Sequence, residues 1–315
     1  MSDQPNLPPP PRAPALEAVN VSRWYGNIVA VNDISFALPP GITGLLGPNG
    51  AGKSTMLHML SGFLQPSAGE VRVFGEPVWQ NEQLYRRVGL VPEREAVYPF
   101  LTGREFVEMS AELQKLPNPK DAAARAIAMV DLESAADRNA GGYSKGMKQR
   151  IKIAAALVHE PDVLLLDEPF NGADPRQRLH MMDLLRSMAA EGKTILFSSH
   201  ILEEVERLAE EVLVIVAGRL AASGDFREIR KLMTDRPHTF TVRSSDNRTL
   251  AAALVSDESV YGVELVDGTL HVRTSEFAAF TMAIPNVART AGVSILELRP
   301  TDESLESVFS YLVKR

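Results

Sequence analysis

The sequence predicts an α/β protein, a mixed sheet built around a phosphate-binding loop, followed by a smaller α+β domain. Three observations carry this. Gly47-Pro48-Asn49-Gly50-Ala51-Gly52-Lys53-Ser54-Thr55 has the G-x-x-x-x-G-K-S spacing of a loop that cradles phosphates. The runs Val163 to Leu166, Thr194 to Ser198 and Val212 to Val216 are apolar or nearly so, which suits strands covered on both faces, and helical patterns lie between them. From about Pro237 the periodicity changes to the order β-α-β-β-α-β.

Taken in chain order, residues 1–14, with proline at 5, 8 to 11 and 14, read as an extended disordered tail. Val19 and Val21, then Ile34, Phe36 and Leu38, alternate with period two and predict half-buried antiparallel strands. Ile42 to Leu46 reads as a buried strand entering the phosphate loop, and Met56 to Leu60 as the helix leaving it, closed by Gly62. Residues from about 94 to 143 predict a helical insertion: Phe106, Met109 and Leu113, then Ala123, Ile127 and Val130, have helical spacing with no strand between them. Met181, Leu185 and Met188 mark one later helical face, and Leu202, Val205 and Leu208 another, the methionines reading as core filler.

In the last part, Thr239 to Arg243 alternates, Leu250 to Val255 is helical, and Val263 to Val266 and Leu270 to Arg273 flank an Asp267-Gly268 hairpin turn. A helix from Glu276 to Ala291, a strand at Ile295 to Leu298 and a last helix near Glu303 to Lys314 complete a ferredoxin-like split motif without a catalytic cluster.

Composition bounds the chemistry. At 315 residues, 45% hydrophobic and 23% charged, the chain has material for about two globular domains. It has no cysteine, which excludes a disulfide framework, a thiolate metal site and a cysteine nucleophile. A net charge of −7 without a long basic block argues against broad nucleic-acid binding, so no nucleic-acid partner is expected. No apolar run is long enough to span a bilayer, and the N-terminus lacks the order of a signal peptide. A role at a membrane would require another chain to hold this one there.

The phosphate loop needs its residue types for physical reasons. Glycines let successive N–H groups converge on phosphate oxygens, the helix adds its positive end, Lys53 supplies a mobile cation, and Ser54 can put its hydroxyl on Mg²⁺. At ordinary glycine usage the bare spacing would arise by chance in roughly one such chain in a hundred, and the strand-loop-helix context sharpens it. Val163-Leu164-Leu165-Leu166-Asp167-Glu168-Pro169 puts two carboxylates at a buried strand end, Asp167 suited to holding magnesium and Glu168 to accepting a proton from attacking water. His200 follows the next strand, where a neutral imidazole could hydrogen-bond a γ-phosphate and that water. No Asn-Lys-x-Asp base-reading motif occurs, which disfavours a GTPase.

With these residues in order, the chain resembles the nucleotide-binding subunit of an ATP-binding cassette (ABC) transporter over roughly residues 15 to 230. The phosphate loop, Tyr143-Ser144-Lys145-Gly146-Met147, Val163 to Pro169 and His200 resemble that family's four ordered motifs. The resemblance implies a P-loop NTPase cassette over 15–236 with ATP and Mg²⁺ as cofactors, and the change of periodicity sets the ferredoxin-like accessory domain over 237–315. The resemblance also implies catalytic roles for Lys53, Glu168 and His200, metal contacts for Ser54, Glu93 and Asp167, and phosphate contacts along Gly47 to Thr55.

Tyr25, in Arg23-Trp24-Tyr25-Gly26, resembles the aromatic residue that stacks on adenine. Ser144 and Gly146 match positions that present hydroxyl and N–H groups to the γ-phosphate bound by the opposite subunit, which suits a helix from Lys145 to His159 capped by Ser144. Asp174, in Asn171-Gly172-Ala173-Asp174-Pro175, resembles the loop that crosses the dimer interface, although Asp174 with Gln177 also reads as a plain capping box with proline at the first helical position.

Some positions depart from the family's pattern. Glu93 follows Gly89-Leu90-Val91-Pro92 where glutamine is usual, Lys145 replaces the first glycine of the signature and Met147 its terminal glutamine. These variants resemble the branch in which ATPase and permease are separate chains and the substrate usually leaves the cell. Ala173 stands where that branch often has leucine, and Glu303 to Phe309 resembles its C-terminal helix. The implied partners are a membrane permease and a second identical or related cassette, at the cytoplasmic face of the membrane as a peripheral protein. The permease would be felt near Tyr98, Phe100 and Leu101. Two other readings stay open at this point: a soluble cassette ATPase that remodels ribosomes or DNA, and a regulatory module that only senses nucleotide.

Overall fold

The phosphate loop leaves a strand, Gly41–Leu46, that has parallel neighbours on both sides, and this placement organises the site. The computed structural model describes residues 14–94, 97–225, 238–257, 259–274 and 276–300. The tail over 1–13, the expected boundary at 236/237 and the expected helix near Glu303 to Lys314 lie outside them. The described residues fall in two compact units that divide between Ser223 and Gly224.

In the first unit, β1 (Leu16–Tyr25) and β2 (Ile28–Leu38) pair antiparallel. β3 (Gly41–Leu46) and α1 (Lys53–Leu60) carry the loop between them, and β4 (Ala68–Val73) and β5 (Glu76–Pro77) complete a four-stranded sheet of order β2-β1-β4-β5. After α2 (Glu82–Tyr85) come β6 (Val88–Val91), α3 (Gly103–Leu113), α4 (Pro119–Met129), α5 (Lys145–Leu157) and β7 (Val163–Asp167). Then α6 (Pro175–Ala190), β8 (Thr194–Ser199), α7 (Leu202–Leu208), β9 (Glu211–Val216) and β10 (Arg219–Gly224) follow. The second sheet has six strands in the order β10-β9-β3-β8-β7-β6. Its pairs from β9 to β6 are parallel.

The fold class is therefore the expected one, a mixed-sheet cassette with N-terminal antiparallel strands and a helical insertion. Met56, Leu57 and Leu60 of α1 are buried in one cluster with Leu16, Val21 and Ile34 of the first sheet and Leu45, Leu165 and Leu196 of the second. Each such side chain contributes about 2 kcal/mol by leaving water, so the loop rests on a rigid base.

Two faces differ from the periodic reading. Val19, expected on the buried face with Val21, is 39% exposed while Ala18 and Val21 are buried. The register with β2 shifts between Ala18 and Val21, and Asn20 there takes a left-handed φ of 49°, so an irregularity resets the alternation. In α3, Leu113 is 76% exposed, and the buried face is Gly103, Phe106, Val107 and Ala111. Helix α5 ends at Leu157, short of the expected His159.

The second unit contains β11 (His238–Ser244), α8 (Asn247–Leu254), β12 (Val260–Val266), β13 (Thr269–Thr274), α9 (Phe277–Thr290) and β14 (Ile295–Pro300). Its antiparallel sheet has the order β12-β13-β11-β14, as the ferredoxin-like pattern predicts. Asp267 and Gly268 have φ of 49° and 75°, the left-handed pair that a two-residue hairpin turn needs.

Candidate functional site

Strand register assembles the site. Leu46 of β3 lies opposite Ser199 of β8, and Asp167 of β7 opposite Ser198. The phosphate loop, Asp167-Glu168 and His200 therefore leave the sheet along one edge, the carboxyl ends of parallel strands where α/β sheets bind ligands. A cleft of about 310 Å³ opens there, lined by Asn49, Gly50, Gly52, Lys53, Ser54, Thr55, Glu93, Asp167 and Glu168, with Ala30 of β2 as one wall.

The loop's shape depends on two of its glycines. A Cβ on Gly47 would stand 2.3 Å from the Ile215 carbonyl oxygen, and one on Gly52, whose φ is 106°, would stand 2.4 Å from that of Ala30. Lys53, at the first position of α1, is buried and donates to the carbonyl oxygens of Gly47 at 2.8 Å and Pro48 at 3.2 Å. The ammonium group thus folds back under the loop, and Lys53 also lines the cleft.

Asp167 is buried and accepts a 2.6 Å hydrogen bond from Ser198 Oγ on its Oδ1. The Glu168 N–H in turn donates to Ser198 Oγ at 3.0 Å. Ser198 thus fixes both acids, a role the sequence reading did not give it; a hydroxyl pair in an otherwise apolar strand was the available signal. Glu168 has a left-handed φ of 51°, a conformation that costs a non-glycine residue of order 1 kcal/mol or more and turns its carboxylate into the cleft.

Glu168 Oε2 lies 2.8 Å from His200 Nδ1. Burial holds the Glu168 carboxyl above the usual range and Asp167 adds to this, while His200 and Lys53 pull the other way. With Glu168 ionised, Nδ1 is the donor, and His200 presents Nε2 outward. Glu204 sets the turn itself. Buried, it accepts from Ser199 Oγ at 2.6 Å and pairs with Arg178 of α6 at 3.4 Å, while Ser199 Oγ accepts from the N–H of Ile201 at 3.0 Å.

Ser54, Glu93 and Asp167 are hard oxygen donors on one cleft, a set suited to Mg²⁺. Among the described residues no three acidic or histidine side chains form a metal site alone.

Tyr25 does not line the cleft, but it lies opposite Ile28 at the end of the hairpin that supplies Ala30. It is 44% exposed, and the Arg23 guanidinium lies over its ring, 4.8 Å from the centre. Ser144, Gly146 and Asp174 do not line the cleft either. Ser144 caps α5, accepting from the Met147 N–H at 3.3 Å. A Cβ on Gly146 would stand 2.7 Å from Gln177 Oε1 and 3.0 Å from the Gly172 carbonyl oxygen, so the signature segment packs on the Asn171 to Asp174 loop. Of the capping box expected there, Asp174 supplies its half, accepting from the Gln177 N–H at 2.9 Å. The Gln177 side chain lies over Gly146 instead.

Residues 31–171 match the family model described as ABC transporter. The chain is 35% identical to the bacitracin transport ATP-binding protein BcrA of Enterococcus faecalis, over 95% of this chain and 96% of that one. It is 32% identical to the linearmycin resistance ATP-binding protein LnrL of Bacillus subtilis, over 95% and 98%. Against a Nod factor export ATP-binding protein of Burkholderia orbicola identity is 44%, over 65% of this chain and 69% of that one. Among solved structures, an ATP-binding subunit of an ABC transporter superposes with a TM-score of 0.64 at 29% identity, covering 69% of this chain and 92% of that one. A dimeric bacterial ABC transporter cassette gives 0.63 at 25%, over 67% and 98%.

Proposed function

The chain belongs to the family of ATP-binding subunits of ABC transporters, and from that premise we propose that it closes head to tail with a second cassette around two ATP molecules. It is an ATPase that powers a transporter, and relatives named for bacitracin transport and Nod factor export support export as the direction. The observation that carries the reading is the split of the predicted residues. Lys53, Ser54, Glu93, Asp167 and Glu168 share one cleft, while Ser144, Gly146 and Asp174 lie outside it. A two-fold partner supplies the missing half, and each chain gives its partner the same service.

In this reading Gly47 to Thr55 cradle the phosphates, and Ser54, Glu93 and Asp167 would hold Mg²⁺, which neutralises phosphate charge. Glu168 takes the proton of the attacking water, and His200, oriented through Nδ1, offers Nε2 to the γ-phosphate region. Tyr25 stacks on the base. The γ-phosphate bridges the two subunits, so its loss reopens the dimer.

No helix among the described residues is long and apolar enough to cross a membrane. In the proposed assembly a separate permease chain at the membrane's cytoplasmic face meets the surface near Tyr98, Phe100 and Leu101, where Tyr98 and Phe100 are exposed with ring centres 5.7 Å apart. Light scattering of the Glu168→Gln chain tests the reading: dimers that form with ATP and Mg²⁺ and disperse without nucleotide support it, and a monomer throughout contradicts it.

A further inference from the structure

Lys152 lies on the third turn of α5 and is 5% exposed. Its ammonium group donates to three successive carbonyl oxygens of the loop after β6: Pro92 at 2.7 Å, Glu93 at 3.3 Å and Arg94 at 3.1 Å. A buried lysine normally costs several kcal/mol of desolvation unless it is well paired, and three of the hydrogen bonds that pair this one go to backbone oxygens of a metal-facing loop. The same helix begins at Ser144, eight residues earlier. One rigid helix of a little over three turns thus has the partner-facing end at its start and the Glu93 loop fastened to its side.

Resting on the two-cassette reading, we propose that Lys152 is a positioning residue that couples the two nucleotide sites. It fastens Glu93, which faces the chain's own nucleotide, to the helix whose Ser144 end meets the partner's. When the partner's γ-phosphate draws in the N-terminus of α5, the tie at Lys152 carries the Glu93 loop with it. Occupation of one site thereby sets the geometry of the other, and by linkage the reverse holds equally. Methionine at this position fills similar volume but releases the loop. Arginine keeps the charge and the donors.

Amide hydrogen exchange of the full chain in the Glu168→Gln background tests the coupling. With Lys152 present, ATP and Mg²⁺ slow exchange both at the start of α5 and in the segment Val91 to Arg94. In Lys152→Met the start of α5 is still protected on dimer formation, while Val91 to Arg94 exchanges as it does without nucleotide, and Lys152→Arg restores its protection. The Hill coefficient for ATP hydrolysis, measured with Glu168 intact, falls toward one in Lys152→Met. If Lys152→Met does not fold, Lys152→Gln takes its place, with partial loss expected. Equal protection of Val91 to Arg94 with and without the lysine overturns the proposal. Failure of the Glu168→Gln chain to dimerise at all overturns the two-cassette reading instead.

Discussion

Glu168 Oε2 and His200 Nδ1 lie 2.8 Å apart, joining residues that follow two neighbouring parallel strands. The carboxylate has one oxygen engaged and the other available to water, and the ring is held with Nε2 outward.

Removing the carboxylate separates binding from chemistry. Glu168→Ala and Glu168→Gln should bind ATP with unchanged affinity and lose turnover by about 10²-fold or more, the scale of a missing general base. Nucleotide titration beside a phosphate-release assay checks both halves. Lost binding with normal residual turnover would refute the assignment.

The raised Glu168 pKa has a sign that stability can read. Below the unfolded value, about 4.3, the residue is protonated in both states and carries no penalty. As pH rises through the higher folded value, stability is lost because the folded state binds the proton more tightly. Glu168→Gln should therefore melt above the unsubstituted chain at neutral pH, with the gap vanishing near pH 4. The acid limb of the turnover profile should sit above that of an ordinary glutamate.

The phosphate loop should reject a single methyl group. Gly47→Ala and Gly52→Ala each drive a Cβ onto a backbone carbonyl oxygen, and Gly52 also requires its φ of 106°. Each should cost about 1–3 kcal/mol of stability, as overpacking does, and lose ATP affinity. Chemical denaturation with nucleotide titration checks this.

Glu204 should matter without touching the nucleotide. Glu204→Ala removes the acceptor of Ser199 Oγ and the partner of Arg178, freeing the turn that presents His200. A charged hydrogen bond of this kind is worth about 2 kcal/mol. Turnover should fall several-fold at unchanged ATP affinity, and Glu204→Gln, which keeps the acceptor, should recover part of it.

Local patterns made much of this protein legible. Gly47 to Thr55 and Val163 to Glu168 are contiguous, so their chemistry and the adjacent elements can be read together. Ferredoxin-like order was legible because Asp267-Gly268 marks its hairpin and each element has its own period. What the sequence hid is long-range or irregular. The lysine on α5 is about 60 residues from the carbonyls it binds, and Arg178 meets Glu204 across two different helices. Val19 and Leu113 fit their periods yet face outward, one at a bulge beside Asn20 and the other near a helix end. Ser198 reads as a strand residue until Asp167 is seen opposite it.

Mixing two inactive chains tests the composite site most directly. Lys53→Ala disables the phosphate loop and Ser144→Arg the partner-facing helix end, so each alone should be inactive. In a mixed dimer both lesions fall in one site, and the other site has an intact loop and an intact helix end. Mixing should therefore restore turnover, to at most about one quarter of the unsubstituted level for random pairing of two-fold dimers. Turnover that stays at the sum of the two separate chains would mean that no site is shared between chains, and the account would be wrong.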